Sequence, residues 1–98
     1  PVPPAEQDRY IGRYAVVSGL DAPHLDIWSE EGRLMSRVEG LIFPPRPIHL
    51  GRNGRFFNQQ TPAETEVSFG ADGRVKSLRI IADGEVELFR AERRDAPP

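Results

Sequence analysis

The sequence predicts an all-β fold, a seven- to eight-stranded antiparallel meander closed into a small barrel, with a β-sandwich as the alternative. Three observations predict it. Short runs of alternating apolar and polar residues recur about every eight to twelve residues, separated by Gly, Asp, Asn and Pro. No stretch sustains a helical period, a heptad or an internal repeat. Turn signals stand between the runs, at Glu30-Glu31-Gly32, Asn53-Gly54, Ala71-Asp72-Gly73 and Ala82-Asp83-Gly84.

The first strand is expected from Tyr10 to Val17, with Tyr10, Gly12, Tyr14 and Val16 on one face and Ile11, Arg13, Ala15 and Val17 on the other. Both faces are partly apolar, so alternation leaves the inner one open. From His24 to Ser29, Leu25 and Ile27 alternate with His24, Asp26 and Trp28, and a hairpin leads to Arg33–Val38 with Leu34 and Val38 inward. Gly40 to Phe43 is a short apolar run cut off by Pro44-Pro45, which suits an edge strand because proline lacks a ladder donor. Ile48–Leu50 and Arg55–Phe57 flank Gly51-Arg52-Asn53-Gly54, and Asn-Gly reaches the positive φ angles of a tight hairpin with least strain. After a polar stretch from Gln59 to Thr65, the runs Glu66–Phe69, Val75–Ile81 and Glu85–Phe89 make a closing meander. Ala91 to Asp95 reads equally as a frayed strand or a helical stub.

So many strands must hide their apolar faces and protect their edges, which favours closure. The expected inward set is Tyr14, Leu25, Ile27, Leu34, Phe43, Leu50, Phe57, Val67, Phe69, Leu78, Ile80, Val86 and Leu88. These side chains are bulky, so the interior is expected to be filled rather than roomy. Proline marks both ends, giving a linker or flexible N-terminus over residues 1–8, one barrel domain over 9–90 and a polar tail over 91–98.

Composition removes several function classes. With 98 residues, 38% hydrophobic and 29% charged, the chain has the makeup of one globular domain, and no apolar run approaches the roughly 18 residues of a membrane-spanning helix. There is no cysteine, hence no disulfide framework or thiolate metal site. A formal charge of -2 argues against a dedicated nucleic-acid binder. Lys76 is the only lysine, and the many arginines read as coding bias more than as phosphate clamps. The start at Pro1 fits a processed mature form or an excised piece of a longer protein.

The series Tyr10-Ile11-Gly12-Arg13-Tyr14, Leu25-x-Ile27, Gly32-Arg33-Leu34, Phe56-Phe57 and Val67-x-Phe69-x-x-Asp72-Gly73-Arg74-Val75-x-x-Leu78 resembles a bacterial module. That module is the uncharacterised β-domain, a domain of unknown function, found C-terminal to serine β-lactamase-like and penicillin-binding-protein-like hydrolases. The resemblance covers Arg9 to Phe89, and Pro44-Pro45-Arg46-Pro47 departs from its pattern. It implies a lipocalin-like barrel, a non-catalytic accessory role beside a catalytic domain or in an oligomer contact, and a periplasmic or secreted location.

The parent hydrolases' catalytic motifs are absent. A Ser-x-x-Lys nucleophile ending at Lys76 would need serine where Gly73 stands, neither Tyr10 nor Tyr14 begins a Tyr-x-Asn, and Lys76-Ser77-Leu78 is not Lys-Thr-Gly. No serine lies in Gly-x-Ser-x-Gly, so no catalytic residue is expected in this chain. His24 and His49 with Asp21 and Asp26 fall short of the convergent ligand set a zinc site requires, so neither metal nor cofactor is expected. Gly51-Arg52-Asn53-Gly54 lacks the Gly-Lys-Ser/Thr ending of a phosphate loop.

Arg46, Arg52 and Arg55 beside Phe56 and Phe57 could stack single-stranded bases, but adjacent strand residues face opposite ways and one of the rings belongs to the core. Pro44-Pro45-Arg46-Pro47 reads as a strand-ending loop before it reads as a polyproline ligand. Trp28 lies opposite in phase to Leu25 and Ile27, an unusual use of a large apolar surface. The expected docking surface is therefore Trp28, Phe56, Arg52 and Arg55. The functional expectation is an accessory module contacting a neighbouring catalytic domain or a second copy, with a free-standing, calycin-like small-molecule binder as the alternative. An internal apolar pocket would separate the two.

Overall fold

The computed structural model describes residues 2–40, 45–51, 54–58, 62–83 and 85–94. They form a helix, α1 (Pro4–Gln7), and the strands β1 (Gly12–Ser18), β2 (His24–Glu30), β3 (Arg33–Val38), β4 (Arg46–Pro47), β5 (His49–Leu50), β6 (Phe56–Phe57), β7 (Glu64–Phe69), β8 (Val75–Ala82) and β9 (Val86–Arg93). All neighbours are antiparallel, in the order β4-β3-β2-β1-β9-β8-β7-β6-β5. The two ends of that order, β4 and β5, are separated in the chain by Ile48 alone. The ring is thus completed by chain continuity, with the Ile48 amide donating to the Leu34 carbonyl at 3.0 Å. The fold is a small, nearly closed antiparallel barrel rather than two stacked sheets.

Local chemistry sets the hairpins. Glu30 pairs with Arg33, leaving a two-residue loop in which Glu31 and Gly32 have φ of 51° and 78°, the positive values that match the twist of the flanking strands. The hairpin expected around Asn53-Gly54 joins β5 to β6, with His49 opposite Phe57 and Leu50 opposite Phe56. Of the expected edge strand, Gly40 lies in a turn and positions 41–43 lie outside the described residues.

The interior is filled by Tyr14, Leu25, Ile27, Leu34, Phe56, Val75, Leu78, Ile80 and Ala91. Six of the thirteen expected inward residues are buried, namely Tyr14, Leu25, Ile27, Leu34, Leu78 and Ile80, while Val67 is half-buried against the core. Phe43 lies outside the described residues. Leu50, Phe57, Phe69, Val86 and Leu88 are exposed instead. A bulge accounts for one of these: Ile80 pairs with Phe89 but Ile81 with Glu87, so Leu88 is the extra residue, while Phe89 and Ala91, opposite Ile80 and Leu78, take the core face. A second bulge lies where Ser68 pairs with Ser77 and Phe69 with Val75; Lys76 is the extra residue, which puts Val75 in the core opposite Phe69, whose partly exposed ring meets Tyr10 at 5.9 Å.

The N-terminal residues correct the expectation of a linker over 1–8. Pro4 opens α1 at a position whose amide needs no partner. Val2 and Gln7 are buried, and the Gln7 side chain donates to the carbonyls of Val2 (3.1 Å) and Gly32 (2.8 Å) while accepting from the Ser29 hydroxyl (2.8 Å). A buried amide with these partners joins the segment to the β2–β3 turn. Tyr10 is consequently not in β1; its ring meets Phe56 edge-on at 5.0 Å across the end of the barrel.

The expected tail over 91–98 is corrected at its start, because β9 runs to Arg93 and Arg93 is 6% exposed, while positions 95–98 lie outside the described residues. Its guanidinium donates to the carbonyls of Val75 (2.6 Å), Ile11 (2.9 Å) and Arg9 (3.4 Å) and to the Tyr14 hydroxyl (2.8 Å). Tyr14 donates in turn to the Tyr10 carbonyl at 2.6 Å. A Cβ on Gly12 would overlap the guanidinium, which is the physical requirement for glycine in Tyr10-x-Gly12-x-Tyr14.

Arg93→Ala leaves several buried acceptors unsatisfied, each costing about 1–3 kcal/mol, so a loss of about 3 kcal/mol or more is expected in urea denaturation. Gly12→Val, which leaves every polar partner in place, is expected to lower the midpoint as well. A wild-type midpoint in either variant contradicts the assigned role of this network.

Candidate functional site

Because Tyr14, Leu25, Ile27 and Leu34 point inward, the alternate residues of β1–β3 form an outer face. Register places Arg13 opposite Asp26, Asp26 opposite Arg37, Trp28 opposite Met35, and Met35 opposite Pro47. The Arg13 guanidinium grips Asp26 with two bonds, Nε to Oδ1 at 2.9 Å and Nη2 to Oδ2 at 3.3 Å. That contact, through its hydrogen bond first, raises the Arg13 pKa above its ordinary value. Arg37, on the other side of Asp26, makes no hydrogen bond or ion pair among the described residues.

Between these side chains runs an open groove of about 410 Å³, bordered by Trp28, Arg13, Asp26, Arg37 and Pro45. Trp28 is half-buried, and Met35 beside it is buried. The groove therefore combines part of an indole, a fixed and self-neutralised Arg–Asp pair, and one guanidinium with its donors open. Its described lining has no hydroxyl, thiol, imidazole or amine, and its one carboxylate, Asp26, is held by Arg13. Arginine and tryptophan are the side chains that most often anchor protein interfaces.

The four residues of the expected docking surface do not come together. Trp28 borders the groove, Arg52 lies outside the described residues, and Phe56 is a core residue at 2% exposure. Placing Phe56 outside was wrong because a two-residue strand carries no alternation signal, and Tyr10 arrives from the N-terminal segment to cover that ring. Arg55 belongs to a charged belt on the far wall. It reaches Glu85 (2.9 Å), Glu66 (3.2 Å) and Glu64 (3.6 Å), Arg79 bridges Glu66 (2.9 Å) and Glu87 (2.8 Å), and Arg90 meets Glu87 (3.0 Å). Such half-exposed pairs add little stability singly but keep that wall hydrated and fix its side chains.

The groove partners of Trp28 could have been found from the two-residue turn at Glu31-Gly32, since that turn fixes Asp26 against Arg37 and Trp28 against Met35. The two histidines stay apart: His24 Nδ1 lies 2.8 Å from Glu39 Oε2, and His49 packs its ring against Phe57 at 5.5 Å. Among the described residues no group of three His, Asp or Glu side chains could hold a metal ion. No described helix is long and apolar enough to cross a membrane.

No protein family, curated protein or solved structure matches the chain.

Two measurements check this geometry. Trp28 is the only tryptophan, so acrylamide is expected to quench the intrinsic fluorescence of the isolated chain, and complete shielding would remove the groove as an accessible surface. The Glu87 carboxyl is held below its ordinary 4.5 by hydrogen bonds from Arg90 and Arg79. A depressed carboxyl contributes its stabilisation fully above about pH 4.5 and loses it as pH falls through the lower folded value. In urea melts taken from about pH 6 down to about pH 3, Glu87→Gln is expected to flatten the acid loss relative to the parent chain.

Proposed function

We propose that this chain is a non-catalytic accessory barrel that docks against a neighbouring catalytic domain through the Trp28 groove. The observation carrying the reading is the placement of the only tryptophan beside Arg37, a guanidinium without a partner among the described residues, on an outer face of a barrel whose interior holds side chains. A calycin-like binder needs an apolar cavity inside the barrel, and Tyr14, Phe56, Val75 and Leu78 occupy that space with almost no exposure. The catalytic partner is a serine β-lactamase-like or penicillin-binding-protein-like domain, a reading supported by the order and spacing of Tyr10-x-Gly12-x-Tyr14 and Val67-x-Phe69…Asp72-Gly73-x-Val75. The same resemblance supports a bacterial, periplasmic or secreted setting.

Calorimetric titration against such a catalytic domain encoded in the same reading frame, or beside it, tests the proposal. Binding is expected, and Trp28→Ala and Arg37→Glu are each expected to weaken it about tenfold or more, on the scale of an interface anchor. Absence of binding, or binding that ignores both substitutions, overturns the docking role. Turnover of ester or β-lactam substrates by the isolated chain overturns its non-catalytic part.

A further inference from the structure

The N-terminal segment carries a second feature, lined by residues other than those of the Trp28 groove and independent of the docking proposal. Residues 9–11 run beside residues 73–75, tied by the Val75 amide donating to the Arg9 carbonyl at 2.8 Å. Two arginines clasp this junction reciprocally: Arg9 Nε donates to the Gly73 carbonyl at 2.9 Å, and Arg74 Nη2 donates to the Ile11 carbonyl at 3.3 Å. Beneath them Arg93 holds the carbonyls of Arg9, Ile11 and Val75. Three guanidiniums thus converge on neighbouring backbone carbonyls. Carbonyl dipoles orient a guanidinium without cancelling its charge.

Among the described residues neither Arg9 nor Arg74 forms an ion pair, and each uses one nitrogen for a carbonyl while the rest of its five-donor fork is open. They border an open cleft of about 410 Å³ together with Ile11 and Asp8. Arg9 is held in place from the other side, its guanidinium 4.2 Å from the centre of the Phe69 ring. Two acidic groups are near: Asp72 accepts the Arg74 backbone amide at 3.0 Å, and Asp8 borders the cleft without pairing with either arginine.

We propose that the cleft between Arg9 and Arg74 binds a phosphate dianion. One carboxylate is saturated by one guanidinium fork, whereas the three terminal oxygens and double charge of a phosphate match two forks at once. Ile11 gives the cleft an apolar side for the organic part of a monoester. Asp8 opposes the anion and sets a ceiling on its affinity.

Nitrogen NMR of the intact chain, observing the arginine side chains during titration with inorganic phosphate and with phenyl phosphate, tests this. Saturable shifts at Arg9 and Arg74 are expected for phosphate and not for acetate at equal ionic strength. Arg74→Gln, an exposed substitution, is expected to weaken binding about tenfold, and Asp8→Asn to strengthen it several-fold. Phenyl phosphate binding is expected to tighten as pH rises through its second ionisation, about 6 for a monoester. Tighter binding of phenyl phosphate than of phosphate identifies a monoester as the ligand, and equal binding identifies the free anion. Shifts that acetate reproduces, or that survive Arg74→Gln in a variant with the parent amide spectrum, overturn the site.

Discussion

The Arg93 guanidinium is the constraint on which the rest of the molecule depends. It sits on the last strand, is almost fully buried, and holds the carbonyls of residues more than eighty positions earlier in the chain. By donating to the carbonyls of Ile11, Arg9 and Val75 together it aligns the N-terminal segment with β8, and by donating to the Tyr14 hydroxyl it fixes β1 against β9. A buried charge is costly unless its hydrogen bonds are made, and here they are made by three carbonyls and a phenol. The charged belt of Arg55, Arg79 and Arg90 is built from the same residue type with a different result, since its members remain partly hydrated. Burial, not pairing, separates the organising arginine from the decorative ones.

What could be read from the sequence followed from how many residues carried each signal. β2 and β3 have alternation over six or seven residues and a turn with glycine in the right place, so their inner faces were readable from the chain. β6 has two residues, and its phase is decided by Tyr10, a neighbour about 46 positions away that no local pattern reveals. β9 has ample alternation, yet one extra residue at Leu88 interrupts it, so the phase read from Val86 and Leu88 does not carry through to Phe89 and Ala91, which take the core face. The polar and proline-rich ends look like spacers by composition, but Gln7 and Arg93 are long polar side chains whose partners are backbone groups, and composition is blind to backbone partners.

The groove was half legible for a related reason. Trp28 announces itself by phase against Leu25 and Ile27, whereas Arg13, Asp26 and Arg37 acquire meaning only when register sets them side by side. Arg55 and Phe56, neighbours in the basic–aromatic run of the sequence, separate on folding into an ion-paired belt and a core. Nearness along a strand places side chains on opposite sides of the sheet, and nearness across strands is what makes a surface.

The junction at Ile48 has a consequence for how this barrel can fail. The ring closes where β4, β5 and β6 have two residues each and where Pro47 offers no amide, so the wall is held there by few ladder bonds. Local opening along that line frees the outer sides of β3 and β7, both long strands able to accept a foreign strand. The proline and the half-exposed charges of Arg46 and Glu64 at the same line are features that discourage such pairing. Among the described residues this sparsely paired seam is therefore also guarded against foreign strands, and strand exchange between copies, if provoked, would begin there.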